Sequence, residues 1–316
     1  VLPLDQDFDT LDIQAGLLDS LDYQDIAGIV LPNLYGLPDD IASVRSRIPY
    51  EVVIIDDACQ SLLSTFDGQR IGLREEAALG VWSAGRGKAL CSVGGGGVFC
   101  SESEGARELF ELLEEEVSRL PSASRLEPIR KFAELFILKV LEHPNLFWIP
   151  AGIPFLGIGK VSCRYDFLSW RPSDTLLSYA QLQWENHLAK VKLTQQKVSS
   201  LEEMLAGVLV KQPYLARGFD AVPGVVPIRY PVLCANEKQR NLILERSSLE
   251  GLGLSASYGK VLREFSEIQG NILDTNTDTA HLISKCLLTL PVHAAVKNSD
   301  MRRIVEIIKE ETPPNS

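Results

Sequence analysis

At 316 residues the chain has room for a sizeable core in one large or two medium domains. Hydrophobic residues make up 45% and charged residues 23%, the balance of an ordinary soluble protein, and no stretch is of low complexity. The net charge of −11 argues against nucleic acid, whose phosphates call for clustered Lys and Arg, yet leaves room for a small anion held by a local basic or backbone N–H pocket.

The opening from Val1 has no charged-then-apolar leader of the kind a signal peptide carries. Asp25 to Leu31 reads as a strand, and Pro38 to Arg47 as a helix whose first turn has Asp39 and Asp40 to suit the dipole. Glu51 to Ile55 is the next predicted strand, built on the charge-free run Val52-Val53-Ile54-Ile55. It ends in Asp56-Asp57-Ala58-Cys59-Gln60. Carboxylates at the C-terminal end of a buried parallel strand sit where open α/β sheets bind their ligands.

Phe66 to Gly72 reads as a hairpin turning at Asp67-Gly68. The stretch Leu79 to Cys100 then sets Lys88 between two apolar runs, Leu79 to Ser83 and Val98 to Cys100, with a bend at Gly85/Gly87 before it and a turn at Gly94 to Gly97 after it. On such a hairpin the lysine is expected inside the molecule, where burial frees an amine to act as nucleophile or base. A lone lysine near glycines is more often a solvated turn residue; the upstream acid is what raises it.

Glu104 to Arg119 is expected as a surface helix with Glu114 to Glu116 on its solvated face. Lys131 to Trp148 is strongly apolar and runs into the Pro/Gly-rich stretch Ile149 to Gly159. Its charge-free part is shorter than the roughly 20 residues of a membrane span, and a helix packed in the core or between domains is favoured over membrane contact through 131–158. Asp174 to Leu205 reads as long helices that bridge to a second domain near Val222. That domain has a strand at Arg229 to Cys234, a helix from Glu237 to Glu250 stopped by Gly251, and a last helix from Asp300 to Glu310. Strands alternating with helices predict an α/β fold with a mainly parallel sheet covered by helices on both faces, plus a smaller α+β domain; the division is 1–170 and 171–316. The six cysteines form no CxxC pair and the four histidines no ligand spacing, so free thiols and no metal site are expected.

Asp57-Ala58-Cys59-Gln60, the Ser83 to Lys88 spacing and Gly95-Gly96, in that order, resemble the DegT/DnrJ/StrS family of pyridoxal-phosphate sugar aminotransferases. Leu31-Pro32-Asn33-Leu34-Tyr35-Gly36 is similar to the family's Pro-x-His-Leu-Tyr-Gly, Arg171-Pro172-Ser173-Asp174 with Ala180-Gln181-Leu182 to its Arg-Met-Ser-Glu and Ala-Gln-Leu segments, and Leu290-Pro291-Val292 to its Leu-Pro-Leu. The resemblance implies a Schiff base on Lys88, Asp57 paired with the pyridinium nitrogen, Gln60 near the ring hydroxyl and Ser83 on the phosphate. It implies a cytoplasmic homodimer that passes an amino group, with glutamate as donor, to a nucleotide-linked keto sugar; the alternative is a catalytically silent homologue with a binding or regulatory role. Family members carry a first lobe with a Gly-Ser/Thr phosphate turn that is not found upstream of Asp57, and such a lobe is expected to precede Val1. Ala89, Gly94, Ser169 and Ser257 stand where the family often has Asn, Glu, Asn and His, and 120–165 resembles an added apolar insertion.

Overall fold

A computed structural model describes residues 1–85, 87–90, 94–101, 104–121, 126–141, 171, 174–208 and 210–312. The apolar stretch beyond Leu141, Ser169, Trp170, Cys91, Cys163, His143 and most of the expected insertion lie outside the described residues.

Four strands form the main sheet in the order β1 (Gly28–Leu31), β2 (Val53–Asp57), β5 (Leu79–Ser83), β6 (Gly96–Cys100). The first three run parallel and β6 returns antiparallel to β5. The fold is therefore α/β with a mixed, mainly parallel sheet. Strand β1 is shorter than predicted, and β2 runs two residues further, to Asp57, so both aspartates belong to the strand.

The pleat gives the two sides of this sheet different fates. Ile29, Leu31 and Ile54 point into a core with Leu18, Ile41, Val44, Ile48 and Val52, which α1 (Ile41–Arg45) helps to cover. Helix α1 is half the length predicted: it starts only after Asp40, whose carboxylate accepts from Ser43 N at 3.0 Å as an N-cap. On the other side, in register, lie Val30 with Ile55 and Val81 with Val98. Val30 is 56% and Val98 38% exposed.

Strands β3 (Thr65–Phe66) and β4 (Gln69–Arg70) make the expected hairpin, with Asp67 and Gly68 both at positive φ as a tight primed turn demands. Helices α2 (Glu104–Arg119) and α3 (Glu127–Leu141) follow. Glu115 and Glu116 stand exposed as expected but both pair with Arg119. Helices α4 (Asp174–Glu185) and α5 (His187–Leu205) then carry the chain to its C-terminal part, as the periodicity predicts.

There β7 (Arg229–Leu233) pairs antiparallel with β8 (Leu287–Pro291), a strand the sequence reading left unassigned. All five residues of β8 are buried, so it lacks the apolar/polar alternation that marks a half-exposed strand. Three helices pack around this pair: α7 (Glu237–Leu249), α8 (Asp278–Cys286) and α9 (Asn298–Glu310). Helix α7 is capped by Asn236 and followed by Gly251 at φ 67, and α9 buries Met301, Ile304, Val305 and Ile308, the spacing of one helical face. Leu11, Tyr35 and Leu37 from the first part of the chain join the same core. Truncating Leu288, fully buried opposite Val232, is expected to cost about 2–5 kcal/mol. Urea unfolding of Leu288→Ala, read as a lower midpoint at unchanged slope, checks this.

Two further ties join the first residues to the end of the chain. Asp5 accepts from Thr279 N at 3.0 Å and Ala280 N at 2.6 Å, placing a carboxylate at the first turn of α8. Gly36 packs against residues 226–228 so closely that a Cβ would lie 2.5 Å from the Val226 carbonyl oxygen; no other residue fits there.

Candidate active site

The end of β2 places two neighbouring carboxylates on opposite sides of the sheet. Asp56 shares the covered side with Ile54 and is fully buried; Asp57 shares the other side with Val81 and Val98. Asp56 holds the Arg74 guanidinium by both oxygens, from Nε at 2.9 Å and Nη2 at 2.6 Å, and accepts from Gly72 N and Asn33 Nδ2 as well. All its lone pairs are spent on structure.

Asn33, where the family often has histidine, has no exposure and joins this network. Its amide donates to Asp56 Oδ1 and to the carbonyls of Leu31 and Asp57, while its oxygen accepts from Asp39 N and Arg74 Nη2. Neither Asn33 nor Arg74 was a site residue in the sequence reading, and Arg74 has no local signal in Gly-Leu-Arg-Glu-Glu. The network ties the strand end bearing Asp57 to the loop after β1 and the loop after β4.

Beyond Asn33 the network reaches a buried acid pair. Asp39 accepts from Asn33 N at 3.0 Å and faces Asp12, which Arg217 pairs at 3.0 Å. Burial first, and then the Asp12 charge, push the Asp39 carboxyl up to about 7, with Arg217 opposing. A raised acid holds its proton in the folded state after the unfolded chain has lost it. The stability it contributes is therefore fully present below pH 3.8 and is lost as pH rises through about 7. Asp39→Asn should flatten the decline in stability between pH 4 and 7, seen by comparing urea midpoints of parent and variant across that window.

On the open side, Asp57 Oδ1 accepts from Cys59 N at 2.8 Å, a local turn that sends the chain away from the strand end. The Cys59 thiol is pushed up to about 12 by burial and then by its hydrogen bond to Asp57, while the Lys88 ammonium draws it down. Cys59 thus stands within electrostatic reach of both Asp57 and Lys88. Ser83 ends β5 on the same side as Asp57, by the register of Asp57 with Val81; its Oγ accepts from Gly85 N at 3.2 Å and starts the bend toward Lys88. Gly94 and Gly95 take positive φ and only then does the chain enter β6, so the turn is two glycines rather than four.

Lys88 is half-buried rather than enclosed between the strands. The strands of the hairpin are joined well past their ends, and the lysine lies on that extension with no sheet around it. Gln60 departs further from expectation: Oε1 accepts from Tyr35 N at 2.9 Å and Nε2 donates to the Tyr258 hydroxyl at 2.8 Å. Its partner Tyr258 comes from the far end of the chain. Two surface hollows, one lined by Glu237, Asn241 and Glu245 and one by Cys100, Arg107 and Phe110, take in none of these residues. Among the described residues no group of His, Cys, Asp and Glu is arranged to hold a metal, and Cys59, Cys100, Cys234 and Cys286 are free thiols. No described helix is long and apolar enough to cross a membrane.

Residues 1–124 match the family model of the DegT/DnrJ/EryC1/StrS aminotransferase family. No curated protein matches the chain in sequence. Among solved structures, a DegT DnrJ EryC1 StrS aminotransferase from Brucella abortus superposes with a TM-score of 0.68 at 17% identity, over 99% of this chain and 74% of that one. A putative sugar aminotransferase from Streptococcus pneumoniae in its PLP form gives 0.69 at 18% identity, over 98% and 74%. The Helicobacter pylori aminotransferase involved in the biosynthesis of pseudoaminic acid gives 0.69 at 13%, over 98% and 72%. Residues 1–124 are thus similar in sequence to the DegT/DnrJ/EryC1/StrS aminotransferase family, and nearly the whole chain shares the fold of these solved structures.

Proposed function

We propose that the protein is a pyridoxal-phosphate-dependent aminotransferase that moves an amino group from an amino acid, glutamate foremost, to a keto sugar carried on a nucleotide. The observation that carries this reading is that Asp57 and Ser83 share one side of the sheet at the ends of two adjacent parallel strands, with Lys88 on the extension beyond Ser83 and within electrostatic reach of Cys59. The donor set fits the cofactor: a carboxylate for the ring nitrogen, a hydroxyl for a phosphate oxygen and a primary amine for the aldehyde. When bound, pyridoxal phosphate supplies an electron sink for the bonds at the substrate's amino carbon.

The chain's own residues do the rest. Lys88 Nζ would hold the cofactor and would move a proton at the substrate carbon. Asp57, oriented by the Cys59 N–H, would face the ring nitrogen. Ser83 Oγ accepts from Gly85 N, which leaves its hydroxyl proton available to a phosphate oxygen. A homodimer in the cytoplasm, and the division at residue 170, belong to the same proposal.

One observation favours a second reading, a catalytically silent homologue: the sheet side bearing Asp57 is open, with Val30 more than half exposed. Absorption spectra of the protein with added pyridoxal phosphate separate the two. A visible band that borohydride fixes, followed by turnover with an amino acid and a nucleotide-linked keto sugar, supports the enzyme; a folded protein with no band sinks it.

A further inference from the structure

Gln60 is the meeting point of two segments that stand far apart in the sequence. Because a backbone N–H can only donate, the Tyr35 N–H fixes which end of the Gln60 amide is oxygen, and the NH2 end is left facing Tyr258. Tyr258 accepts that hydrogen through its oxygen, so its own hydroxyl proton stays free to be donated elsewhere.

Around this contact the backbone is held in conformations that non-glycine residues rarely adopt. Tyr35 sits at φ 62, ψ 8 and Ser257 at φ 57. The Tyr35 hydroxyl lies within reach of the Ser257 side chain and of the Arg229 charge. Strain of this kind persists only where the surroundings over-determine it, and it gathers at sites where geometry matters. Here both strained residues neighbour the Gln60 contact, one through its N–H and the other as the residue before Tyr258.

The contact also lies at the candidate active site. Tyr258 stands within the field of Asp57 and Cys59, and Cys59 within that of Lys88. We infer that Tyr258 is a positioning residue: its hydroxyl holds the Gln60 amide in one orientation beside Asp57 and thereby latches the loop at 257–258 over the Lys88 site. This rests on the aminotransferase reading, because it takes Gln60 to face the cofactor. Tyr35 sets one end of the amide and Tyr258 the other, which aims the remaining Nε2 hydrogen of Gln60 at an oxygen of the bound group.

The test is a double-mutant cycle of Gln60→Ala and Tyr258→Phe, read in two ways. In the cofactor-free protein Gln60→Ala, which also loses the Tyr35 N–H contact, is expected to lower the thermal midpoint more than Tyr258→Phe does, and the double variant no further than Gln60→Ala; additive falls would overturn the latch. With pyridoxal phosphate titrated in, Tyr258→Phe is expected to weaken binding roughly fivefold, the scale of one neutral hydrogen bond, and to have no effect in the Gln60→Ala background. Coupled midpoints with unchanged cofactor affinity would leave a strut and overturn the positioning role. A parent protein that binds no cofactor would sink the aminotransferase reading and the positioning role together, while the thermal cycle would still decide the latch.

Discussion

Lys88→Ala should bind no pyridoxal phosphate covalently and should lose more than about 10⁴-fold in transamination rate. The substitution removes the nucleophile that holds the cofactor and the amine that moves the proton, and a positioned acid–base group alone contributes roughly 10²–10⁴. Stability should change little, because the side chain is half-buried on an extension beyond the sheet. The informative companion is Lys88→Arg. It keeps the positive charge near Cys59 but offers no free amine, so loss of the borohydride-fixed band in both variants ties the chemistry to the amine. If Lys88→Arg kept the band, the attachment point would be another lysine.

Arg74→Met should be the most damaging substitution for stability, at about 3–5 kcal/mol. Arg74 and Asp56 are 2% and 0% exposed and meet at 2.6 Å, so removing the cation strands a carboxylate away from water. The Gly72 and Asn33 hydrogen bonds to Asp56 remain, but neither carries a charge to offset it. The loss should not stay local, since Arg74 also donates to the Asp39 carbonyl and to Asn33. Guanidinium unfolding of Arg74→Met measures the cost. Adding Asp56→Asn should recover part of it, because the stranded charge is then gone; a double variant less stable than Arg74→Met would contradict the account.

Both predictions concern residues at the ends of β2 and β5 or just beyond them, and they differ in how far the amino-acid order alone reveals them. Lys88 and Asp57 are legible in sequence because each follows an apolar β run and breaks it with a charge. Gly85, Gly94 and Gly95 mark the bends around the lysine for the same local reason. Arg74 is not legible. It sits in a loop with two glutamates, and its burial comes from Asp56, which reaches it across the sheet edge.

By itself, then, the sequence determined the elements: the β-branched run of β2, the Asp-Gly hairpin, the amphipathic α9 and the order of motifs that points to an aminotransferase. These follow from side-chain size, polarity and backbone freedom within a few residues. Only the tertiary structure decided which face each residue takes. The pleat sends Asp56 into the core and Asp57 to the open side, although the two are neighbours of the same kind. It also decided that Gln60 meets Tyr258, 198 positions later, and that Lys88 stands half-exposed. Such contacts depend on register and on how the C-terminal strands pack against Tyr35 and Leu37, and no local pattern encodes a partner that far along the chain.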